Sequence, residues 1–401
     1  MPHAAIRYSP ALCLLSAFFT APLFAQGVPQ TANAAAVSTP ASVAYVYVGT
    51  SKGVNLYNAS PTGKLTLVSS SPFKTTGLMI GSNQKYFITL GTDWVHSYPI
   101  EANGAIGAQV SQINTQTYSG RDCGTTNGGV LDHSGQYLYV LLNVPPDGNS
   151  VCAAYQSFAI AKNGSLSFRG SAATGSEAPP ARFLPTILAN EKYAYAANNF
   201  EGPVHGAFLN GWSGFARESN GTLDLRTPII EDPGREVDQN GEDNYPWFPQ
   251  MVTADPSNHL AVAMFNWYAP PFGAFGAIQL GSYTVDSNGN IRSTNTWAKM
   301  PYTDVSPVVL NLSPDGKLLA VGGQGGLEVF HFNGAAPVTR YSKVLTTAQT
   351  NWIHWDKANH LYALSTSGKL YVYTITPTSI AAAPGSPYTI SGPAGLFVVP
   401  K

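Results

Sequence analysis

A short strand-like segment rich in Tyr, Val, Leu and Ala recurs seven times along the 401 residues of the chain. Each copy is a short apolar or aromatic run bounded by turn residues, which is typical of a strand. The copies begin at residues 44, 85, 136, 192, 259, 317 and 360. Their shortest spacings match the roughly 40 residues of one propeller blade, and the longer spacings leave room for extended loops. The recurrence therefore predicts one structural unit repeated seven times.

Each repeat supplies four strands. An apolar strand and a polar turn precede each copy, as in residues 308–312 followed by Ser-Pro-Asp-Gly at 313–316. A third strand ending in Tyr or Phe follows, and then a fourth strand that begins after Gly, as at 63–67 and 221–225. Turn residues of these types connect hairpins. We therefore predict an all-β fold, a seven-bladed β-propeller with four antiparallel strands per blade.

The two ends of the chain fit together in this fold. The first repeat starts at its second strand, because nothing strand-like precedes Ala44, whereas a spare apolar strand at 394–399 follows the last repeat. We expect the C-terminal strand to complete the N-terminal blade, which removes the exposed sheet edges that promote aggregation. The propeller is predicted to span residues 41–401.

The N-terminal segment is typical of an export signal. Residues 1–25 contain Arg7 and then an apolar run at 11–25, which is the pattern of a secretory signal peptide. The run is shorter than the about 20 residues that span a bilayer, so we expect cleavage rather than anchoring, after Ala25 or after Ala34. Residues 26–40 are predicted to be a flexible segment, and the mature protein to be secreted or periplasmic with no membrane span.

Two cysteines remain after the predicted signal, which contains Cys13. An even pair in an exported protein predicts one disulfide, between Cys123 and Cys152. In a propeller blade these positions, before a first strand and at the start of a third strand, meet at the same end. Two free buried thiols are the alternative.

Charge and composition exclude several classes of function. The 21 Lys and Arg residues nearly cancel the 22 Asp and Glu residues, so the formal net charge is −1. This balance lacks the cationic field that nucleic-acid binding requires, and a chain that is 44% hydrophobic and 11% charged is not disordered. We expect a soluble monomer that binds no nucleic acid.

Three motifs carry a resemblance to a known family. Tyr-Val-Tyr-Val-Gly-Thr at 45–50, Gly-Lys-Leu-Thr at 63–66 and Leu-Ser-Pro-Asp-Gly-Lys at 312–317 resemble the YVTN-type repeats of the lactonase-type seven-bladed propellers. That group includes the bacterial propeller-type 6-phosphogluconolactonases and the fungal muconate lactonising enzymes. The resemblance covers nearly all of residues 41–400, and it implies the propeller fold and the hydrolysis of a lactone.

The chain departs from one family motif. Phosphogluconolactonase-like members typically carry an Arg-His pair that opens a first strand and an Asn-Glu pair after the next strand. Here Arg182-Phe183 and Asn198-Asn199 stand nearest to those places. The departure argues against a sugar phosphate as the substrate, and export argues the same way.

The long connections predict where a site lies. They are at 143–152, 174–185, 198–215, 230–249 and 266–281, so blades three to five carry the extra material. Long loops without strands of their own are often functional.

Lactone hydrolysis needs a base that activates water and a cation that stabilises the oxyanion. We predict Glu201 or His205 as the base and Arg182, or alternatively Arg235, as the electrostatic partner. An ordinary solvated loop residue or a local ion pair is the alternative for each of them.

Polar and aromatic side chains of the same loops predict the ligand contacts. Trp and Tyr rings stack against sugar or lactone rings, while amides, carboxylates and guanidinium groups form hydrogen bonds. The predicted ligand-binding residues are Asn198, Arg235, Asp243, Tyr245, Trp247 and Trp267. The alternative is that the aromatic loops plug the face of the propeller.

No cofactor is predicted, because the chain has no P-loop, dinucleotide fingerprint, zinc motif or GxSxG elbow. Ca²⁺ at the acidic stretch 231–244 stays open as an alternative. His354, between Trp352 and Trp355, either lines the central channel or packs in the core.

Two functions therefore stay open. One is the hydrolysis of a lactone of a sugar or a related small molecule. The other is a non-catalytic propeller that binds a glycan or a protein partner through its loop-rich face.

Overall fold

The computed structural model describes residues 41–116, 125–142, 155–172, 184–197, 211–226, 228–233, 247–266, 278–293 and 296–401. Pro40–Lys401 form one compact unit. Its described strands form seven separate sheets, each built around four antiparallel strands.

The first four blades follow one another along the chain. The first contains β1 (Ala44–Thr50), β2 (Gly53–Ala59) and β3 (Leu65–Leu67). The second contains β4 (Leu78–Ser82), β5 (Tyr86–Leu90), β6 (Trp94–Pro99) and β7 (Ser111–Asn114). The third contains β8 (Thr126–Leu131), β9 (Tyr137–Leu142), β10 (Tyr155–Ile160) and β11 (Leu166–Ala172). The fourth contains β12 (Thr186–Ile187), β13 (Tyr193–Ala197), β14 (Trp212–Arg217) and β15 (Leu223–Arg226).

Two of the last three blades carry an extra strand. β16 (Ile230–Glu231) pairs in parallel with the outer strand of the fifth blade, which contains β17 (Trp247–Ala254), β18 (His259–Asn266), β19 (Gln279–Val285) and β20 (Ile291–Ser293). After a 3-10 turn at Trp297–Lys299, the sixth contains β21 (Pro307–Leu312), β22 (Leu318–Gly323), β23 (Gly326–Asn333) and β24 (Ala336–Arg340). The seventh contains β25 (Thr350–Trp355), β26 (His360–Ser365), β27 (Lys369–Ile375) and β28 (Ile380–Ala382), with β29 (Tyr388–Thr389) added to β27.

The C-terminal strand closes the propeller as the sequence predicts. β30 (Pro393–Pro400) pairs antiparallel with β1, with Ala44 opposite Pro400 and Val48 opposite Leu396. The first blade therefore takes its innermost strand from the end of the chain. The backbone N–H of Lys401 adds a hydrogen bond of 2.9 Å to the Val43 carbonyl. The predicted seven-bladed architecture is confirmed.

The recurring segments of the sequence are the second strands of the blades. Their observed starts are residues 44, 86, 137, 193, 259, 318 and 360, each within one residue of the prediction. Apolar clusters fill the spaces between neighbouring blades, as where Ile88 of β5 packs with Leu138 of β9 and Phe158 of β10, all fully buried.

Neighbouring blades meet through a repeated contact between an aromatic side chain and a glycine. The ring of Tyr137, which opens β9, lies against Gly221 in the turn before β15 of the next blade. Gly221 has a φ of +87°, and a β-carbon there would lie 2.0 Å from the ring. Equivalent contacts join Tyr45 to Gly104, Tyr86 to Gly164, Tyr193 to Gly289, His259 to Gly334 and His360 to Gly63.

These contacts lie on one face of the propeller, which we call the turn face. It is formed by the turns that join first to second strands and third to fourth strands. The opposite face, the loop face, is formed by the connections that enter first strands and those that join second to third strands.

A buried ion pair reinforces the turn face between blades three and four. The Arg217 guanidinium lies 2.8 Å from the Asp132 carboxylate, and both side chains are buried. Arg217 also donates a hydrogen bond of 2.9 Å to the Tyr139 hydroxyl and lies 4.8 Å from the centroid of the Tyr137 ring. The guanidinium therefore restrains the ring that contacts Gly221.

We expect Gly221→Ala to lower the free energy of unfolding by about 2–4 kcal/mol. The β-carbon would overlap the restrained Tyr137 ring, and alanine would be held at a left-handed φ. Urea unfolding followed by fluorescence measures the change. Gly91→Ala is the matched control, because the nearest heavy atom to a β-carbon there lies 3.6 Å away. Equal losses in the two variants would contradict the assigned role of the contact.

Candidate functional site

The first strands of the blades surround a cavity of about 530 Å³ at the loop-face end of the central channel. We call it the channel cavity. β4, β8, β25 and β30 contribute its walls, together with Leu184, which precedes β12, and the turn after β5. Its lining is Gly77, Leu78, Leu90, Gly91, Thr92, Thr126, Asn127, Gly128, Gly129, Leu184, Trp352, His354, Ala394, Leu396 and Phe397.

The channel cavity is mainly apolar and open to solvent. Leu78 is 61% exposed and Leu184 is 37% exposed, although both line the cavity. Apolar side chains that stay exposed around a concave opening are typical of a ligand-binding site. Thr126 donates its hydroxyl to the carbonyl of Thr92 at 3.0 Å, so this polar group is already used within the protein.

His354 is the one titratable residue among the described residues that line the channel cavity. Its ring lies 5.0 Å from the Phe397 ring in an edge arrangement, and it forms a hydrogen bond with the Leu396 backbone. Burial lowers the pKa of His354 to about 4, so the imidazole is neutral near pH 7. A neutral imidazole has one donor and one acceptor nitrogen. The bond to Leu396 raises the pKa, as a bond donated by the imidazole does, and so uses the donor.

A second cavity of about 350 Å³ adjoins the first on the loop face of blades one and two. We call it the lysine cavity, because Lys52 and Lys74 line it. The two cavities share Gly77, Leu78 and Ala394, so they form one continuous depression.

A third cavity of about 330 Å³ lies across the channel and shares Asn127 and Leu184 with the channel cavity. Met251, Val308 and Leu310 contribute to its apolar wall. Among the described residues that line these three cavities there is no carboxylate.

Sequence reasoning missed both lysines. Lys52 lies in the two-residue turn between β1 and β2, and Lys74 lies in the connection from β3 to β4. Neither connection belongs to blades three to five, whose long connections carried the site prediction. Gly77, which precedes β4, and the Gly128-Gly129 pair of β8 line the channel mouth and were the available signal.

Trp247 is the predicted ligand-binding residue that the structure describes. It begins β17, is 2% exposed and packs with Trp212 and Met264 between blades four and five. Its indole N–H has no hydrogen-bond partner within the described residues. Trp247 is therefore a core residue, and it lines none of the three cavities.

The remaining predicted site residues lie outside the described residues. They are Arg182, Asn198, Glu201, His205, Arg235, Asp243, Tyr245 and Trp267, together with Cys123 and Cys152 and the signal peptide. The strands before and after most of these positions have their nearer ends on the loop face. For example, β13 ends there at Ala197 and β14 begins there at Trp212.

Most of the acidic stretch considered for Ca²⁺ also lies outside the described residues. Within the described residues, no group of three or more His, Cys, Asp and Glu side chains converges. The described part of the chain also contains no helix with the length and hydropathy needed to cross a membrane.

Four other histidines have structural contacts. His133 Nε2 lies 2.7 Å from the Ile187 carbonyl, and the His331 ring lies 4.3 Å from the Tyr341 ring. His259 and His360 contact the carboxylates of turn residues Asp255 and Asp356 at 3.0 and 2.8 Å.

No protein-family model matches the chain, and no curated protein matches it. Solved structures do match. The periplasmic gluconolactonase PpgL of Pseudomonas aeruginosa aligns over 89% of this chain and 99% of that chain, with a TM-score of 0.58 and 14% identity. The chain has the fold of the lactonase-type propellers.

Two further structures align over 89% of this chain and 99% of their own. One is a provisionally identified 6-phosphogluconolactonase from Bacteroides uniformis, with a TM-score of 0.55 and 15% identity. The other is a protein from Lactobacillus plantarum, with a TM-score of 0.56 and 13% identity. At these identities the likeness shows the lactonase-type fold alone.

We expect His354 to make the propeller sensitive to acid. Because the folded pKa is about 4 and an unfolded imidazole titrates near 6.5, the unfolded state binds more protons between these values. Stability is therefore lost as the pH falls through that window. Between pH 7.5 and 5.0, the wild type should lose about 1–2 kcal/mol more than His354→Gln in urea unfolding, less than the full shift because the ring borders an open cavity. The same pH dependence in both proteins would show that His354 does not titrate in this way.

Proposed function

We propose that the protein is an exported hydrolase that opens the lactone ring of a sugar or a related small molecule on its loop face. The observation that carries the proposal is the fold shared with PpgL, which is described as a periplasmic gluconolactonase, over almost all of that chain. The signal-like residues 1–25 support export.

The chemistry follows from the residues predicted in the long connections. A base, Glu201 or His205, removes a proton from water as the water oxygen attacks the lactone carbonyl. Arg182 stabilises the negative charge that develops on the carbonyl oxygen. The ring C–O bond then breaks, the base returns its proton to the leaving oxygen, and the product is a hydroxy acid. Asn198, Arg235, Asp243, Tyr245 and Trp267 would hold the substrate.

The position of these connections supports the assignment to the loop face. The described strands on either side of them end on the loop face, as β13 ends at Ala197 and β14 begins at Trp212. No cofactor or metal takes part in this proposal.

A second candidate function is binding without catalysis, with a glycan or a protein partner on the same face. It is favoured by the composition of the three loop-face cavities, whose described lining contains lysines and His354 but no carboxylate. Under this proposal the long connections serve recognition alone.

A pH-stat assay of the signal-free protein against sugar, aromatic and acyl-homoserine lactones tests the proposal. We expect acid release well above the uncatalysed rate for one class of lactone. Arg182→Ala, and either Glu201→Gln or His205→Asn, should lower kcat/KM by about a hundredfold or more, as loss of a general base or an oxyanion partner does.

The matched control is Arg169→Ala, which removes an exposed cation from the outer strand β11 and should leave turnover unchanged. Unchanged turnover in all three site variants would contradict the assignment of the catalytic residues. No acid release across the panel would favour the binding protein, and glycan arrays would then identify its ligand.

A further inference from the structure

We propose that the channel cavity and the lysine cavity together form a binding site for a small organic anion, a monocarboxylate with an aryl body. The site consists of described residues of blades one, two, three and seven, together with Leu184. None of the residues that line it is one of the proposed catalytic residues, and its test does not depend on lactone hydrolysis.

The aryl body is assigned from one wall of the channel cavity. Trp352, His354 and Phe397 all line it, and the His354 and Phe397 rings meet edge to face. Aromatic pairs in such arrangements gain energy beyond the area that they bury. Leu78 and Leu184 contribute further apolar surface to the cavity and are exposed. Covering these side chains with an apolar ring would remove them from water.

The anionic group is assigned from the charges of the lysine cavity. Lys52 and Lys74 line it, and no carboxylate does among the described residues. Because the two cavities share Gly77, Leu78 and Ala394, one molecule can place its ring in the channel and its charge between the lysines. An ammonium group makes a point charge on a flexible stem, so it suits a carboxylate at the end of a short linker.

His354 contributes polarity without charge. It is neutral near pH 7, because burial lowers its pKa to about 4. The charged groups that line the combined site are therefore Lys52 and Lys74. The site should consequently prefer an anion over a neutral or cationic molecule of the same shape, and it should keep that preference from pH 6 to pH 8.

Isothermal titration calorimetry with 4-phenylbutyrate tests the proposal on the signal-free protein at low ionic strength. 4-Phenylbutan-1-ol and 4-phenylbutylamine keep the ring and the linker but replace the carboxylate by a neutral and a cationic group. We expect 4-phenylbutyrate to bind about five- to tenfold more tightly than the alcohol, since two exposed cations contribute modestly, and the amine to bind more weakly than either.

The double variant Lys52→Ala/Lys74→Ala should abolish the preference for the carboxylate over the alcohol and leave the affinity for the alcohol unchanged. The control Lys85→Ala/Lys162→Ala removes two exposed lysines from the turn face and should keep the preference. Trp352→Leu keeps an apolar side chain but removes the aromatic ring, so it should weaken the binding of both ligands about threefold.

Equal affinities for the carboxylate and the alcohol, or a preference that survives Lys52→Ala/Lys74→Ala, would overturn the proposal. So would the absence of binding by folded protein. None of these ligands is a lactone, so the binding measured here does not depend on whether the protein hydrolyses lactones. Binding without lactone hydrolysis would support this site and contradict the proposed hydrolase. Hydrolysis without binding would support the hydrolase and contradict this site.

Discussion

The contact between an aromatic ring and a left-handed glycine of the next blade is the constraint on which this propeller depends. Tyr137 over Gly221 shows why, since no side chain fits beneath the ring at that position. The contact fixes the distance and the angle between two neighbouring sheets, and its repetition fixes the curvature of the ring of blades. At the junction of blades six and seven, the Tyr341 hydroxyl instead donates a hydrogen bond of 2.6 Å to the Thr376 carbonyl.

The same contacts give the two faces different roles, packing of the blades on the turn face and variable connections on the loop face. On the turn face, residues of adjacent blades bind one another, as where the Ser134 backbone donates to Glu191 at 2.6 Å and the Asn190 backbone to Asn258 at 2.8 Å. A substitution there disturbs the packing of blades. Among the described residues, the loop face carries none of these contacts between blades, so its connections can vary in length and chemistry. Function is therefore expected on the loop face, at the end of the channel that remains open.

The sequence predicted the fold well because the residues of the aromatic–glycine contact recur at six of the seven blade junctions. A Tyr or His that opens a second strand and a Gly that precedes a fourth strand are visible as a repeat, and the spare strand after Pro393 reveals the closure. The site was harder to predict. Lys52 and Lys74 lie far from His354 in sequence, and only the ring of blades brings their cavities together.

The local sequence pattern also did not determine where individual side chains lie. The alternation of Trp352 and His354 places both on one side of β25, yet the sequence does not say whether that side is the channel or a neighbouring blade. The structure shows that both line the channel. Trp247 was predicted to lie in the long connection 230–249, but it opens β17 and its ring is buried in the core.

Amide hydrogen exchange with and without saturating 4-phenylbutyrate tests most directly the central claim that small molecules bind at the loop-face end of the channel. The account predicts slower exchange in the turn at residues 51–53, in the turn at 91–93 and at the starts of β4, β8 and β30. It predicts no change in the turn-face segments 132–135 and 189–191. Protection confined to the turn face, or spread evenly over both faces, would contradict the account.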